Sequence, residues 1–139
     1  MRVVLVCPNS KAHTITPPLG LGYLASSLRL KGHEPAILDL AKLRIEGEKG
    51  ARAVRELMPD LIGVSILSTA YLPARNLIKA IRELMPEVPL VVGGPHVTAL
   101  PEDALKNLEV GLGVIGEAEL VFPPLRTESS TCWFPLSMP

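Results

Sequence analysis

The sequence has few cysteines, few aromatic residues and no excess of charge of either sign. Its two cysteines, Cys7 and Cys132, are too few for a disulfide framework or a four-cysteine zinc site, so we expect a reducing compartment. Fourteen Lys and Arg residues balance 14 Asp and Glu residues. The basic surface expected of a protein that binds nucleic acid or an anionic membrane is therefore missing, and we predict neither as a partner.

Long apolar runs are also missing. Five apolar residues separate Arg2 from Pro8, which is too short for the core of a signal peptide, and no run approaches the roughly 18 residues of a membrane span. We therefore expect a cytoplasmic protein. The 139 residues, 47% of them hydrophobic, are enough for one domain with a core of its own.

Short apolar runs alternate with segments of helical period along the chain. The runs are continuous, as expected of parallel strands that are covered on both faces, and they lie at residues 3–6, 36–38, 61–64, 90–92 and 110–115. With right-handed crossovers, this order predicts an α/β, flavodoxin-like (Rossmann-like) fold. We expect a five-stranded parallel sheet of order 2-1-3-4-5 with helices on both faces.

Three longer helices are predicted from apolar residues at helical spacing, over residues 21–28, 51–58 and 77–85. Pro17 and Pro18 suit the start of the first helix, and Gly32 suits its end. A short fourth helix is expected near Pro101, and a last turn or helix over residues 117–125. Residues 1–125 then form the domain, and the aperiodic residues 126–139 form a tail.

Polar residues and glycines follow the predicted strands. Ligands of open parallel sheets lie beyond the carboxyl ends of the strands, so these residues are candidates for a binding site. Ser65, Ser68 and Thr69 offer hydroxyl groups, while Gly93 and Gly94 allow a ligand to approach the backbone closely. The alternatives are structural: Ser68 or Thr69 as the N-cap of the next helix, and the two glycines as an ordinary tight turn.

Gly20, Gly22 and Ala25 match the G-x-G-x-x-A pattern of a dinucleotide-binding motif. Asp39 lies about 20 residues further along, where that motif has an acidic residue. That motif needs its first glycine in the turn directly after a strand, so that the pyrophosphate meets the start of a helix. Here the first glycine follows a long loop and two prolines. We therefore do not favour binding of NAD or FAD.

Four short segments occur in order at the predicted strand ends: Pro17-Pro18-Leu19-Gly20-Leu21-Gly22-Tyr23-Leu24-Ala25, Ser65-Ile66-Leu67, Gly93-Gly94-Pro95-His96 and Gly116-Glu117. With this combination, the chain resembles the N-terminal cobalamin (B12)-binding domain of B12-dependent radical SAM proteins over about residues 1–125. In cobalamin-binding domains generally, S-x-L and G-G segments line the slot for the nucleotide tail of the cofactor. A D-x-H-x-x-G loop supplies a histidine to cobalt, and this sequence has no such loop.

The resemblance implies a corrinoid cofactor bound base-off, with no protein histidine on cobalt and no protein metal ligand. It implies the following cofactor-binding residues: Asn9, Pro18, Leu19, Gly20, Ser65, Ile66, Leu67, Ser68, Thr69, Gly93, Gly94, Pro95, His96, Gly116 and Glu117. Ser65 and Gly94 are the principal candidates. We expect Ser65→Leu or Gly94→Val to weaken corrinoid binding by filling the tail slot without unfolding the sheet.

The chain departs from the family where catalysis would occur. The C-x-x-x-C-x-x-C motif that holds an iron–sulfur cluster is absent from the sequence, so we expect no cluster in this chain and no catalysis by the chain alone. The resemblance therefore implies a fragment or a stand-alone form of this domain, with a radical SAM catalytic domain, methyltransferase-like, as a partner.

Two other functions stay open at this stage. A flavodoxin-like domain could instead bind flavin or another nucleotide cofactor, or it could act as an interaction module. A flavin-phosphate site favours a loop rich in Ser, Thr and Gly after the first strand, whereas residues 8–18 contain no glycine. An interaction module would not require the Ser-x-Leu and Gly-Gly segments at the ligand edge.

Overall fold

The computed structural model describes residues 1–10 and 17–118. Their centre is a parallel sheet of four strands in the order β2-β1-β3-β4. The strands are Arg2–Cys7 (β1), Glu34–Asp39 (β2), Leu61–Ser65 (β3) and Leu90–Gly93 (β4). The predicted parallel α/β architecture, and the order predicted for the first four strands, are thus confirmed.

Helices connect the strands on both faces of the sheet. They are Leu19–Leu30 (α1), Leu40–Leu43 (α2), Gly47–Glu56 (α3), Tyr71–Leu84 (α4), Pro95–Ala99 (α5) and Pro101–Leu108 (α6), with a 3₁₀ turn at Ser68–Ala70. The four predicted helices correspond to α1, α3, α4 and α6. The sequence did not predict α2 and α5, since helices of four or five residues are too short to show a period.

Alternate residues of each strand face opposite layers, which explains why β1, β3 and β4 are mostly apolar on both faces. Val4, Ile62 and Val92 pack in the layer formed with α3, α4 and α6. Leu5 and Val91 pack on the other side, against the buried face of α1. The sheet therefore separates two apolar layers, and the cavity described below lies on the α1 side.

The fifth predicted strand, over residues 110–115, is reduced to one parallel bridge between Val92 and Gly113. The Val92 amide donates to the Leu112 carbonyl at 3.1 Å, and the Val114 amide donates to the Val92 carbonyl at 2.8 Å. The segment thus lies beside β4 and runs parallel to it, but five strands are not formed in the described part of the chain. Gly111 and Gly113 lie in this segment, and glycine inside a strand weakens it.

Some predictions fall on residues that the structure does not describe. The loop residues 11–16, most of the predicted last turn over residues 117–125, and the predicted tail 126–139 lie outside the described ranges. Within the described ranges, no helix is long and apolar enough to cross a membrane.

Candidate functional site

A cavity of about 530 Å³ opens at the carboxyl ends of β3 and β4. One wall is the face of α1 that carries Gly20 and Leu24, and the floor includes Ser65 and Gly93 at the strand ends. The opposite wall is formed by α5 and by residues 114 and 116–118. The cavity therefore lies at the edge of the sheet where open parallel sheets bind ligands.

The cavity brings together predicted site residues from four separate segments of the sequence. Those that line it are Gly20, Ser65, Gly93, Gly94, Pro95, Gly116 and Glu117. Glu117 is exposed and Ser65 is half-buried. The cavity thus combines a hydroxyl group, a carboxylate and several positions without a bulky side chain.

Other predicted site residues lie away from this cavity. Ile66 is fully buried in the apolar layer on the opposite side of the sheet. The Asn9 side-chain amide donates to Glu46 Oε1 at 3.1 Å, just before α3 begins. Pro18 and Leu19 form the start of α1. Leu67, Ser68 and Thr69 form an exposed turn between β3 and α4.

His96 lies on the side of α5 that faces this turn. Its Nδ1 atom is 3.1 Å from Ser68 Oγ, and its ring centroid is 4.8 Å from that of Tyr71. The His96 amide also donates to the Ile66 carbonyl at 3.0 Å. The alternative role of Ser68 or Thr69, as the N-cap of the next helix, is not formed, because Ala70 precedes α4 and no side chain there accepts a capping hydrogen bond.

Gly94 joins β4 to α5 with φ 98° and ψ −179°, a conformation that is essentially restricted to glycine. A Cβ atom at this position would lie 2.8 Å from the Ile66 nitrogen and 2.9 Å from Ser65 Oγ. Gly94 is therefore required for the close approach of two backbone segments. This corrects the expectation that Gly94→Val fills a ligand slot without disturbing the fold.

Cys7 ends β1 and is paired in register with Asp39 of β2. Burial raises the pKa of the Cys7 thiol above its ordinary value, and the charge of Asp39 adds to the rise. Both effects favour the protonated thiol. Among the described residues, no group of three or more His, Cys, Asp or Glu side chains is placed to hold a metal ion.

Several residues of the cavity were not predicted as site residues. Leu21 and Leu24 were interpreted as the core-facing side of α1, and they both belong to the core and line the cavity. Thr98 also lines the cavity, and its Oγ1 atom accepts a hydrogen bond from the Gly116 amide at 3.0 Å. No sequence signal marked Thr98, since it lies on the unpredicted helix α5.

Comparison with known families identifies the class of this domain. The model of the B12 binding domain family matches residues 5–126, so the chain belongs to that family. Cobalamin is accordingly the cofactor of the family, as the sequence predicted.

Individual relatives agree with this assignment. The chain is 32% identical over 132 residues to an uncharacterised methyltransferase of Pyrococcus horikoshii, covering 90% of this chain and 28% of that protein. It is 28% identical to an anaerobic magnesium-protoporphyrin IX monomethyl ester cyclase of Cereibacter sphaeroides, covering 87% of this chain and 21% of that protein. The chain therefore spans about a quarter of the length of such relatives.

A solved structure with the same fold contains the cofactor. It is the radical S-adenosylmethionine methyltransferase TsrM from Kitasatospora setae, with cobalamin and a 4Fe–4S cluster bound. The TM-score is 0.74 at 28% identity, and the match covers 86% of this chain and 23% of that one. The predicted resemblance to the cobalamin-binding domain of radical SAM proteins is thus confirmed.

Proposed function

We propose that this chain binds cobalamin base-off, with the nucleotide tail of the cofactor in the cavity beside α1. The observation that carries the proposal is the cavity itself, at the carboxyl edge of the sheet. Its volume of about 530 Å³ lies within the roughly 300–1,000 Å³ of small-molecule sites. Family membership supplies the identity of the cofactor.

The residues of the cavity suit a long ligand with an aromatic end. Leu21 and Leu24 offer apolar surface for a planar base, and Gly20 and Gly93 leave room for it. Ser65 can donate and accept hydrogen bonds, and Glu117 can accept them from hydroxyl or amide groups near the rim. These residues are the ones that we propose hold the tail.

The position of His96 supports cobalt without a histidine ligand from this chain. Its Nδ1 atom is already in contact with Ser68 Oγ, and its ring packs against Tyr71 rather than lining the cavity. The sequence also lacks the D-x-H-x-x-G loop that supplies a cobalt ligand in other cobalamin-binding domains. We therefore propose that no histidine of this chain ligates cobalt.

Bound cobalamin would supply a cobalt centre able to carry a methyl group, while this chain would orient the cofactor and shield its tail from water. We propose that the chain works with a radical SAM catalytic domain, in the same polypeptide or in a partner, as part of a methyltransferase-like enzyme. Its two cysteines are too few to hold the cluster of such an enzyme. We propose a cytoplasmic location, based on this low cysteine content.

The proposal is tested by mixing the purified chain with hydroxocobalamin, removing free ligand by gel filtration and recording the visible spectrum. We expect retained cobalamin whose spectrum resembles that of free cobalamin at acidic pH, in which the base is displaced. A cooperatively folded chain that retains none would overturn the proposal, and flavin would be titrated next. Retained cobalamin with a base-on spectrum would overturn the base-off assignment alone, and a histidine-ligated spectrum would overturn the proposal that no histidine of this chain ligates cobalt.

Two glycines of α1 provide a matched pair of variants for placing the tail. Gly20 shares a helix face with Leu24 and lines the cavity, whereas Gly22 does not line it. A Cβ atom at either position meets open space, so both variants should fold. We expect Gly20→Leu to weaken cobalamin binding about fivefold or more, since overpacking costs about 1–3 kcal/mol.

In the same titration Gly22→Leu should bind as tightly as the unmodified chain. Ser65→Leu should weaken binding too, because Ser65 lies on the floor of the cavity. Equal dissociation constants for Gly20→Leu and Gly22→Leu would place the tail elsewhere.

A further inference from the structure

Thr98 and Gly116 are 18 residues apart in the sequence and meet at the wall of the cavity. Thr98 Oγ1 accepts a hydrogen bond from the Gly116 amide at 3.0 Å, and both residues line the cavity. Neither residue belongs to the core, since both are exposed. Their hydrogen bond therefore connects two surface segments across the rim of the site.

The two segments differ in how they are attached to the sheet. Thr98 lies on α5, whose first turn is fixed to the end of β3 by the hydrogen bond from the His96 amide to the Ile66 carbonyl. Gly116 follows the single bridge between Val92 and Gly113. The segment that contains Gly116 leaves the sheet after this single bridge. Its hydrogen bond to Thr98 connects it to α5, which is itself bonded to the end of β3.

The turn at Gly116 places the next residues against the cavity. Gly116 has φ 78°, which turns the chain so that Glu117 and Ala118 line the wall opposite α1. Ala118 also packs against the apolar layer on the α1 side. Release of the turn would therefore open this wall and move the Glu117 carboxylate from the mouth of the cavity.

We infer that Thr98 is a positioning residue for cobalamin. Its hydroxyl accepts the Gly116 amide hydrogen bond and so holds the wall formed by residues 116–118 against the nucleotide tail. The inference rests on the proposed function. It assigns Thr98 a role that acts through Gly116 and Glu117, rather than a cobalt ligand or a catalytic group.

The expected size of the effect follows from one exposed hydrogen bond. A hydrogen bond between neutral groups adds modestly to the stability of the arrangement in which residues 116–118 line the cavity. If this arrangement is populated for a smaller fraction of the time, the site binds its ligand proportionally more weakly. We therefore expect Thr98→Val to raise the dissociation constant for cobalamin about two- to tenfold. Thr98→Ser retains the hydroxyl and should bind almost as tightly as the unmodified chain.

The binding experiment titrates hydroxocobalamin into the unmodified chain, Thr98→Val, Thr98→Ser and Ser26→Ala. Ser26 is the matched control, because its hydroxyl donates to the Gly22 carbonyl at 3.1 Å on the exposed side of α1, away from the cavity. We expect weaker binding by Thr98→Val alone. Equal affinity of Thr98→Val and the unmodified chain would overturn the inference.

A second measurement needs no cofactor. Hydrogen exchange of the Gly116 amide, followed by NMR in the ligand-free chain, should be slowed in the unmodified chain and in Thr98→Ser, and fast in Thr98→Val. An unprotected Gly116 amide in the unmodified chain would refute the proposed role of the Thr98 hydroxyl in holding the Gly116 turn. Weaker binding by Thr98→Val with unchanged Gly116 exchange would also refute it, because the hydroxyl would then act on the cofactor directly.

These outcomes are separate from the test of the proposed function. If the unmodified chain retains no cobalamin, the proposed function fails, and the inference about the cofactor fails with it. If the unmodified chain binds cobalamin and the variants bind equally well, only the role of Thr98 is lost.

Discussion

Gly94 combines a glycine-only backbone conformation with a close approach between the β3 and β4 ends. Its φ is 98°, and a side chain has no space there, because a Cβ atom would lie 2.8 Å from the Ile66 nitrogen. The Gly-Gly segment was interpreted as room for a ligand. Its second glycine instead allows the Ile66 amide to donate to the Gly93 carbonyl at 2.8 Å, which builds the floor of the cavity.

Gly94→Ala should lower the free energy of unfolding by about 1–3 kcal/mol, because alanine is strained in this backbone conformation. Gly22→Ala is the control: it lies in α1, where a Cβ atom meets open space, and should raise the free energy by about 0.5–1 kcal/mol. Urea denaturation followed by circular dichroism measures both. Equal stability of Gly94→Ala and the unmodified chain would show that the turn relaxes freely.

Neighbouring residues of the predicted site face different environments. Ser65 lines the cavity, and Ile66 is fully buried in the layer on the other side of the sheet. Strand geometry explains this, since successive side chains point to opposite faces. The sequence could place both residues at the end of β3. It could not determine which face holds the cavity, because both faces of the sheet are covered.

At the scale of secondary structure, α1 serves both the core and the site. Leu21, Leu24 and Leu28 are buried against the sheet, and Leu21 and Leu24 also line the cavity. Leu30, at the end of the helix, is 90% exposed. The helical period predicted this buried face correctly, because the spacing of apolar residues is a local property of the sequence.

Two leucines near the end of α1 allow a direct test of which face stabilises the fold. Leu28→Ala should lower the free energy of unfolding by about 2–5 kcal/mol, because Leu28 is fully buried and the substitution leaves a cavity. Leu30→Ala should change it by less than about 0.5 kcal/mol, because its side chain is exposed. Chemical denaturation measures the free energy of unfolding of both variants. Similar losses of stability in Leu28→Ala and Leu30→Ala would contradict the packing of α1 through the face that carries Leu28.

Two elements show where local sequence information was insufficient. The apolar run over residues 110–115 predicted a full strand, yet its pairing with β4 is limited to one bridge. In contrast, α5 forms in a segment with no helical period, after the turn at Gly94. Strand pairing depends on neighbours that are distant in the sequence, and a five-residue helix depends on the contacts at its ends.

At the scale of the whole molecule, the cavity assembles residues from Leu5 to Ala118. Its walls come from α1, the strand ends, α5 and the segment after Val114, which are brought together only in the folded chain. A ligand that fills the cavity would contact all of these segments at once. Binding should therefore stabilise the entire domain rather than one element.

Hydroxocobalamin should raise the midpoint of urea denaturation of the unmodified chain. A ligand that binds only the folded state, at a concentration about 100 times its dissociation constant, adds about 2.7 kcal/mol of stability. Gly20→Leu should gain less at the same concentration, and Gly22→Leu should gain the full amount. A midpoint that does not move with ligand, in a chain shown to retain cobalamin, would contradict selective binding to the folded domain.

The sequence by itself determined the parallel α/β fold, the order of the four strands, the longer helices, the edge of the sheet at which the cavity lies and the resemblance to cobalamin-binding domains. These follow from local periodicity and from short motifs. Only the tertiary structure decided that the cavity lies on the α1 side, that Gly94 is a structural requirement, and that Thr98 meets Gly116. Such features depend on contacts between distant segments, and local periodicity does not encode which side chains will meet.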